Sequence, residues 1–491
     1  MEFISTRGGQ KVSCASEAIA KGLATDGGLF VPAYFPNVKD KLESILDMDY
    51  AETAAFVLSQ YLTEYDYDDL LLACQKAYDR FDSDSAAPIV KIDDKLFIME
   101  LFHGPTLAFK DVALMLLPYL LRKGCDNCGI KEEILILVAT SGDTGKAALE
   151  GFKNQPGIKV MVYYPSEGVS DMQKLLMTTQ EGENLSVTAV KGNFDDCQSA
   201  VKTIFSSNEI KERLLKENVV LSSANSINFG RLAPQIAYYF SAYADLVNAE
   251  EIKLGEEVDF CVPTGNFGNI LAGYYAKMMG LPIGKLVCAS NKNNVLTDFF
   301  ATGKYDINRE FYKTTSPSMD ILISSNLERL VFEMSGRNFE VTKQRMNDLS
   351  KSKEYTVSDI ERVKISKQFL AGYCDEKNCV STIKNFFDEY GYTLDPHTSV
   401  AVTVADRFMD ELNNPMVILS TASPYKFPES VYKALTGKVD TDAFNASKKL
   451  EYTTAEPVPE QISELKEKTV KFTKVVEKED ICDTVFEFIQ K

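Results

Sequence analysis

The stretch ILILVATSGDTGKAALEGFKNQPGIKVMVYYP (Ile134–Pro165) decides the fold. Its opening run, Ile134–Ala139, is apolar and β-rich and ends in a Ser-Gly turn. Lys146–Phe152 reads as helix, and Ile158–Pro165 reads as a second apolar strand. Strands that are apolar throughout, separated by a helix, indicate a parallel sheet covered on both faces. The pattern continues downstream. Ser170–Gln180 and Asp195–Phe205 are helix-like, and Leu185–Val190 and Val219–Ala224 are strand-like. Arg231–Val247 is a long helix with Pro234 in its first turn, where proline is tolerated. Val258–Pro263 and Gly284–Ser290 are strands that bracket a helix over Asn269–Met279, and Pro415–Pro424 restores a core strand. The class is therefore α/β, with two open, mostly parallel-sheet α/β domains.

The expected boundaries follow from these patterns. Residues 1–95 form a mainly helical N-terminal region. Residues 96–130 and 255–437 form the larger domain, with a polar helical insertion at about 338–394. Residues 131–254 form the smaller domain, and 438–491 a C-terminal extension packed on the larger one. The pattern weakens between Thr302 and Ser318, which predicts a surface connection.

Composition bounds the chemistry. The 491 residues are 45% apolar and 25% charged, ordinary for a globular protein. The net charge of −18 argues against nucleic acid as a partner. No uncharged apolar run approaches membrane-spanning length, and MEFISTRGGQKVSCASEAIA lacks the marks of an export signal. A cytoplasmic location with reduced thiols is expected. Cys125 and Cys128 have a Cys-x-x-Cys spacing, but no second pair or nearby histidine completes a zinc site. With only His103 and His397 in the chain, a three-histidine zinc enzyme is excluded.

Five segments could carry chemistry. ATSGDTGKAAL (Ala139–Leu149) departs from an ATPase phosphate loop at Thr140 and Ala147. Ser141, Asp143 and Thr144 offer oxygens at a helix start that favours an anion. An ordinary turn capped by Asp143 or Thr144 fits equally well. PTGNFGNI (Pro263–Ile270) lacks the first glycine of a dinucleotide fingerprint. The amides from Gly265 to Asn269 can ring a phosphate, and a plain βα turn is the simpler alternative.

Lys110 stands in the apolar run FHGPTLAFKDVALMLL (Phe102–Leu117). It is either a snorkelling side chain or a desolvated amine that attacks aldehydes. An amine of that kind combined with a glycine cup for phosphate suggests pyridoxal phosphate. SSANSINFGRLAPQI (Ser222–Ile236) clusters Asn225, Ser226, Asn228 and Arg231, suited to anions or to capping of the long helix. LSTASPYKF (Leu419–Phe427) puts Thr421 at a strand end, where its hydroxyl could meet a ring nitrogen.

Together these motifs resemble the threonine synthase family, pyridoxal-phosphate enzymes of the tryptophan-synthase-β fold type. The resemblance runs nearly end to end, through STRGG, GLATDGGLFVP (Gly22–Pro32), FHGPTLAFKD, ATSGDTGKAA, SANSINFGR, PTGNFGN and SPSMDI (Ser316–Ile321) in the family order. It implies a cofactor cleft between the two domains, with Lys110 forming the Schiff base and then moving protons. Gly265, Asn266, Phe267, Gly268 and Asn269 would cradle the cofactor phosphate, and Thr421 would bond the pyridine nitrogen. Ser141, Asp143, Thr144, Asn225, Ser226, Asn228 and Arg231 would contact substrate. Ser423 stands where the family often has histidine.

The implied reaction is O-phosphohomoserine plus water giving threonine and phosphate, with a monomer or homodimer as the working unit. A serine/threonine dehydratase or cysteine synthase of the same fold, a binding protein that lost turnover, and a nucleotide-dependent oxidoreductase are the alternatives. The two phosphates require a locally positive cleft on an acidic protein.

Overall fold

Every residue of the Val258–Pro263 strand is buried, which is why it reads as a nearly continuous apolar run. The computed structural model describes residues 1–140, 142–167 and 169–490. In it this strand lies inside a six-stranded sheet. The order is Phe369–Tyr373, Ile283–Ser290, Val258–Pro263, Met416–Ser420, Leu96–Glu100 and Ile89–Lys91. All neighbours run parallel except the last pair. A second sheet, wholly parallel, has the order Val475–Glu477, Leu185–Lys191, Ile158–Pro165, Glu133–Ala139 and Val219–Ser222. The two-sheet α/β architecture read from the strand pattern is the one observed.

Two regions are built differently from expectation. Residues 338–394 are not a helical insertion, because Phe369–Tyr373 supplies the edge strand of the large sheet, paired with Leu286–Ser290. The strand sits between charged helices at Asp359–Gln368 and Glu376–Tyr390, which hide it in the local composition.

The C-terminal extension is divided between the domains. Helix Ala443–Thr454 packs on Pro428–Thr436 of the large domain. Val475–Glu477 adds an edge strand to the small sheet. The helix Ile481–Ile489 buries Ile481, Val485 and Phe486 against Leu135, Leu137 and Met161.

The N-terminal region holds four α-helices but also a three-stranded antiparallel sheet of Phe3–Ser5, Lys11–Val12 and Phe30–Pro32.

That small sheet explains the STRGG motif. Thr6 Oγ1 donates to Glu328 Oε1 at 2.6 Å, and Arg7 forks onto the same carboxylate at 2.9 and 2.7 Å. The neighbouring Arg329, fully buried, donates to the carbonyls of Phe30 and Ile227 and to the Asn326 side chain. Asn326 in turn donates to the carbonyl of Asn266. The N-terminal region is thus tied to the back of the glycine loop. Glu328→Ala strands the Arg7 guanidinium and is expected to cost about 2–3 kcal/mol, below the usual figure for a fully buried pair because Arg7 is partly exposed. An earlier urea midpoint measures it.

All ten cysteines are free thiols, with Cys125 buried and Cys128 exposed. Among the described residues no cluster of three or more metal-binding side chains forms, and no helix is long and apolar enough to cross a membrane.

Candidate active site

Lys110 opens a short helix, Lys110–Leu114, and the backbone before it is held by the end of a core strand. Phe109 donates its N–H to the Thr421 carbonyl at 3.0 Å, and Ser423 donates to the Leu107 carbonyl at 3.1 Å. Asp111, adjacent in sequence, is not the partner of Lys110. It turns back to take the Thr106 N–H and hydroxyl at 2.7 and 2.5 Å, closing the loop. Gly104 is required there, because a Cβ would lie 2.5 Å from the Asp111 side chain. Burial raises the Asp111 carboxyl to about 6, against the pull of those two bonds.

The partner of Lys110 comes from the other domain. Its Nζ lies 3.6 Å from Asp143 Oδ2 and 3.5 Å from Ser318 Oγ, and Ser318 Oγ donates to the same Asp143 oxygen at 3.0 Å. The other oxygen, Oδ1, is 2.7 Å from Lys426 Nζ, which also donates to the Thr106 carbonyl at 2.7 Å. Side-chain exposure is 12% for Lys110 and 2% for Lys426. Burial lowers the basicity of Lys110; Asp143 opposes that, and the charges of Lys426 and Arg231 reinforce it, leaving the amine below its ordinary value. Burial opposes the charge on Asp143, but Lys426 and Lys110 outweigh it and hold the carboxyl well below the usual range.

Ser318 reaches the site through a loop the sequence reading placed on the surface. Asn291 and Asn293 donate to Asp320 Oδ1 at 2.8 and 3.0 Å, and Asn291 also reaches Ser316 Oγ at 3.0 Å. These bonds draw the loop inward and leave Ser316 fully buried. The Ser318 N–H donates to His397 Nε2 at 3.2 Å. A backbone N–H can only donate, so Nε2 is the acceptor and the proton of His397 sits on Nδ1, facing Asp395 Oδ1 at 2.7 Å. His103 lies between Asp82 and Glu100 at 2.7 and 2.8 Å and serves the local structure.

The glycine loop follows the Val258–Pro263 strand and opens the helix Gly268–Met278. The first amides of an α-helix lack intrahelical acceptors. A Cβ on Gly265 would sit 2.9 Å from the Ser318 carbonyl oxygen. Phe267 is left-handed, with φ of 62°. Ring contacts with Phe300 and Phe369 at 6.0 and 5.9 Å hold it there against a strain of order 1–3 kcal/mol. Asn269 accepts from the hydroxyls of Tyr238 and Tyr239 through Oδ1, while its Nδ2 is buried with no acceptor among the described residues. A loop with no carboxylate, a helix N-terminus and one unspent buried donor fits a phosphate. Gly265→Ala is expected to weaken cofactor affinity by roughly 10- to 100-fold through displacement of Ser318. Titration of the apoprotein with pyridoxal phosphate measures this.

The remaining predicted residues separate into two groups. Arg231 is fully desolvated, which brings its guanidinium down to about 10. Its Nη1 donates to the Ala224 carbonyl at 2.6 Å, and its Nε has no acceptor among the described residues. Asn225 and Ser226 are half-buried in the loop between Val219–Ser222 and Arg231, and Thr144 is half-buried in the first turn after Gly142. Asn228 is spent on the fold. Its amide donates to Ile19 and Ser223 carbonyls at 3.0 and 2.9 Å, and its oxygen caps the Gly230 N–H at 2.9 Å. This is the capping role the sequence also allowed.

Ser141 lies outside the described residues. The turn beside it is capped by neither Asp143 nor Thr144. Thr140 Oγ1 accepts from the amides of Gly142 and Gly145 at 3.0 and 3.1 Å, which frees Asp143 to face the lysines. Ser423, in place of the family's frequent histidine, accepts the Tyr425 N–H at 3.3 Å.

Three family descriptions match the chain: "Threonine synthase N terminus" over residues 2–78, "Pyridoxal-phosphate dependent enzyme" over 82–422 and "Threonine synthase, C-terminal" over 398–489. The human protein named threonine synthase-like 1 is 43% identical over 454 residues, covering 88% of this chain and 60% of that one. The chain thus spans about 60% of the length of the threonine synthase-like 1 relatives it matches. Threonine synthase of Pseudomonas aeruginosa is 38% identical over 447 residues, covering 89% and 91%. The crystal structure of PLP-bound threonine synthase from Brucella melitensis superposes with a TM-score of 0.88 at 37% identity, covering 100% and 99%. From its first residues to its last helix, this chain belongs to the threonine synthase family of pyridoxal-phosphate-dependent enzymes.

Proposed function

We propose that the chain converts O-phospho-L-homoserine and water into L-threonine and phosphate. The observation that carries this reading is the charge in one buried cleft. Arg231 is buried there beside Lys110, with its Nε lacking an acceptor among the described residues, in a protein whose net charge is −18. A buried guanidinium with an unspent donor inside an acidic molecule suits an anionic substrate. The 35–38% identity to threonine synthases of bacteria and yeast over most of the chain supports the same activity.

In this reading Lys110 binds the cofactor aldehyde, residues 265–269 its phosphate, and Thr421 its ring nitrogen. Pyridoxal phosphate, when bound, supplies an electrophilic carbon for amines and a conjugated ring that spreads charge from the substrate's α-carbon. The chain's residues do the rest. Lys110 Nζ takes the proton from the α-carbon and moves protons at the β-carbon, over short distances set by its own tether. Asp143 and Ser318 hold Nζ in position while it does so. Arg231 receives the substrate's phosphate or carboxylate, with Thr144, Asn225 and Ser226 beside it. The phosphate ester breaks at the γ-carbon, and water adds at the β-carbon. Ten free thiols suit a reducing, cytoplasmic setting.

Purified holoprotein given O-phosphohomoserine is expected to yield threonine and phosphate in equal amounts. Formation of 2-oxobutanoate from threonine as the main activity would replace this reading with that of a dehydratase.

A further inference from the structure

Lys426 is buried, charged and assigned to nothing by the reaction. It sits in a short turn, Pro424–Lys426, after the large-sheet strand Met416–Ser420. Its ammonium is spent on two acceptors, Asp143 Oδ1 and the Thr106 carbonyl, each at 2.7 Å. Two of the three ammonium donors are so engaged, and with 2% of its side chain exposed Lys426 is held away from a substrate that must come and go.

What it does instead follows from the carboxylate between the two amines. Without Lys426, Lys110 would be the one lysine left on Asp143 among the described residues, and a buried carboxylate favours the ammonium form of such a partner. An amine held as ammonium neither attacks an aldehyde nor accepts a proton.

We propose that Lys426 is a positioning residue, whose ammonium occupies one oxygen of Asp143 and so keeps the Lys110 amine available for the cofactor aldehyde and for proton transfer. The charged and titratable groups around this unit are few. Asp143, Lys426 and Arg231 face Lys110; His397 faces Asp143; and Asp111 faces Lys426. Asp143 favours the charged form of Lys110, and Lys426 and Arg231 disfavour it. Removing the Lys426 charge therefore moves the balance toward ammonium on both counts: the repulsion goes, and the whole carboxylate becomes available to Lys110.

This inference rests on Lys110 being the aldehyde-binding amine, so its test begins from apoprotein and checks that point separately. Apoprotein is mixed with pyridoxal phosphate between about pH 6 and 9, and the rate at which visible absorbance appears is recorded. The wild-type adduct is trapped with borohydride and located by peptide mass. Lys426→Met is expected to raise the midpoint of the pH–rate curve by about one unit, making uptake at pH 7 about tenfold slower. Lys426→Arg, which keeps the charge, is expected to hold the midpoint within about 0.3 unit of wild type.

A Lys426→Met protein with the wild-type midpoint overturns the proposal even if its melting temperature falls, because it then serves stability only. An arginine variant that shifts as far as methionine overturns it too. If Lys426→Met does not fold, Asp143→Asn decides: the midpoint must move down, and an unchanged midpoint overturns the proposal. Failure to trap wild-type adduct at Lys110 sinks the cofactor-lysine reading, whereas trapped adduct with no shift in the variants sinks only the role of Lys426.

Discussion

Lys110→Ala is expected to abolish the visible absorbance of the holoprotein and to lower kcat by at least about 10³-fold. The chain is expected to stay folded. Lys110 is the first residue of the Lys110–Leu114 helix, where alanine is a better helix former than lysine. The substitution strands no buried partner, because Asp143 keeps Lys426 and Ser318. Far-ultraviolet circular dichroism and a melting temperature near that of wild type apoprotein check the fold, and absorbance and turnover check the chemistry. Retention of turnover by pure Lys110→Ala protein would remove the basis of the assignment.

Arg231→Met is expected to raise KM for O-phosphohomoserine by on the order of 10²-fold while leaving the cofactor absorbance in place. A hydrogen bond to a charged group in a dry site is worth about 1.5–3 kcal/mol, which converts to roughly that factor. Methionine matches the stem of arginine, and the loss includes only one resolved internal bond, to the Ala224 carbonyl. Lysine is expected to restore little, because a point charge does not reproduce a fork. A KM within twofold of wild type for Arg231→Met would assign the substrate anion to other donors.

The parts of this molecule legible in the sequence share a physical trait: they are signalled within a few residues. The Ile134–Ala139 and Ile158–Pro165 runs announce a parallel sheet because both faces of each strand are buried. Lys110 announces itself because an apolar stretch leaves a single amine unexplained. Its electrostatic partners do not. Asp143 stands out for its place at a helix start, but its pairing with Lys110, 33 residues away, and with Lys426, 283 residues away, is made by chain folding.

Ser318 was hidden for a similar reason. Nothing in SPSMDI looks reactive, and only the Asn291, Asn293 and Asp320 bonds bring it to the lysine. His397 was visible as one of two histidines, yet its orienting bond to the Ser318 amide depends on a helix capped by Asp395. The edge strand Phe369–Tyr373 is not legible because a short strand with one covered edge carries little period of its own, whereas the strand-like TVKFTKVV run (469–476) overlaps the edge strand Val475–Glu477.

The most direct test of the proposed reaction follows the oxygen of water. The proposed reaction breaks the bond between the γ-carbon and the ester oxygen, and it adds water at the β-carbon. Turnover of O-phosphohomoserine by the holoprotein in oxygen-18 water is therefore predicted to give threonine carrying one heavy oxygen in its β-hydroxyl, and phosphate carrying none from the reaction. Heavy oxygen in the phosphate, with homoserine as the other product, would show simple ester hydrolysis and contradict the account.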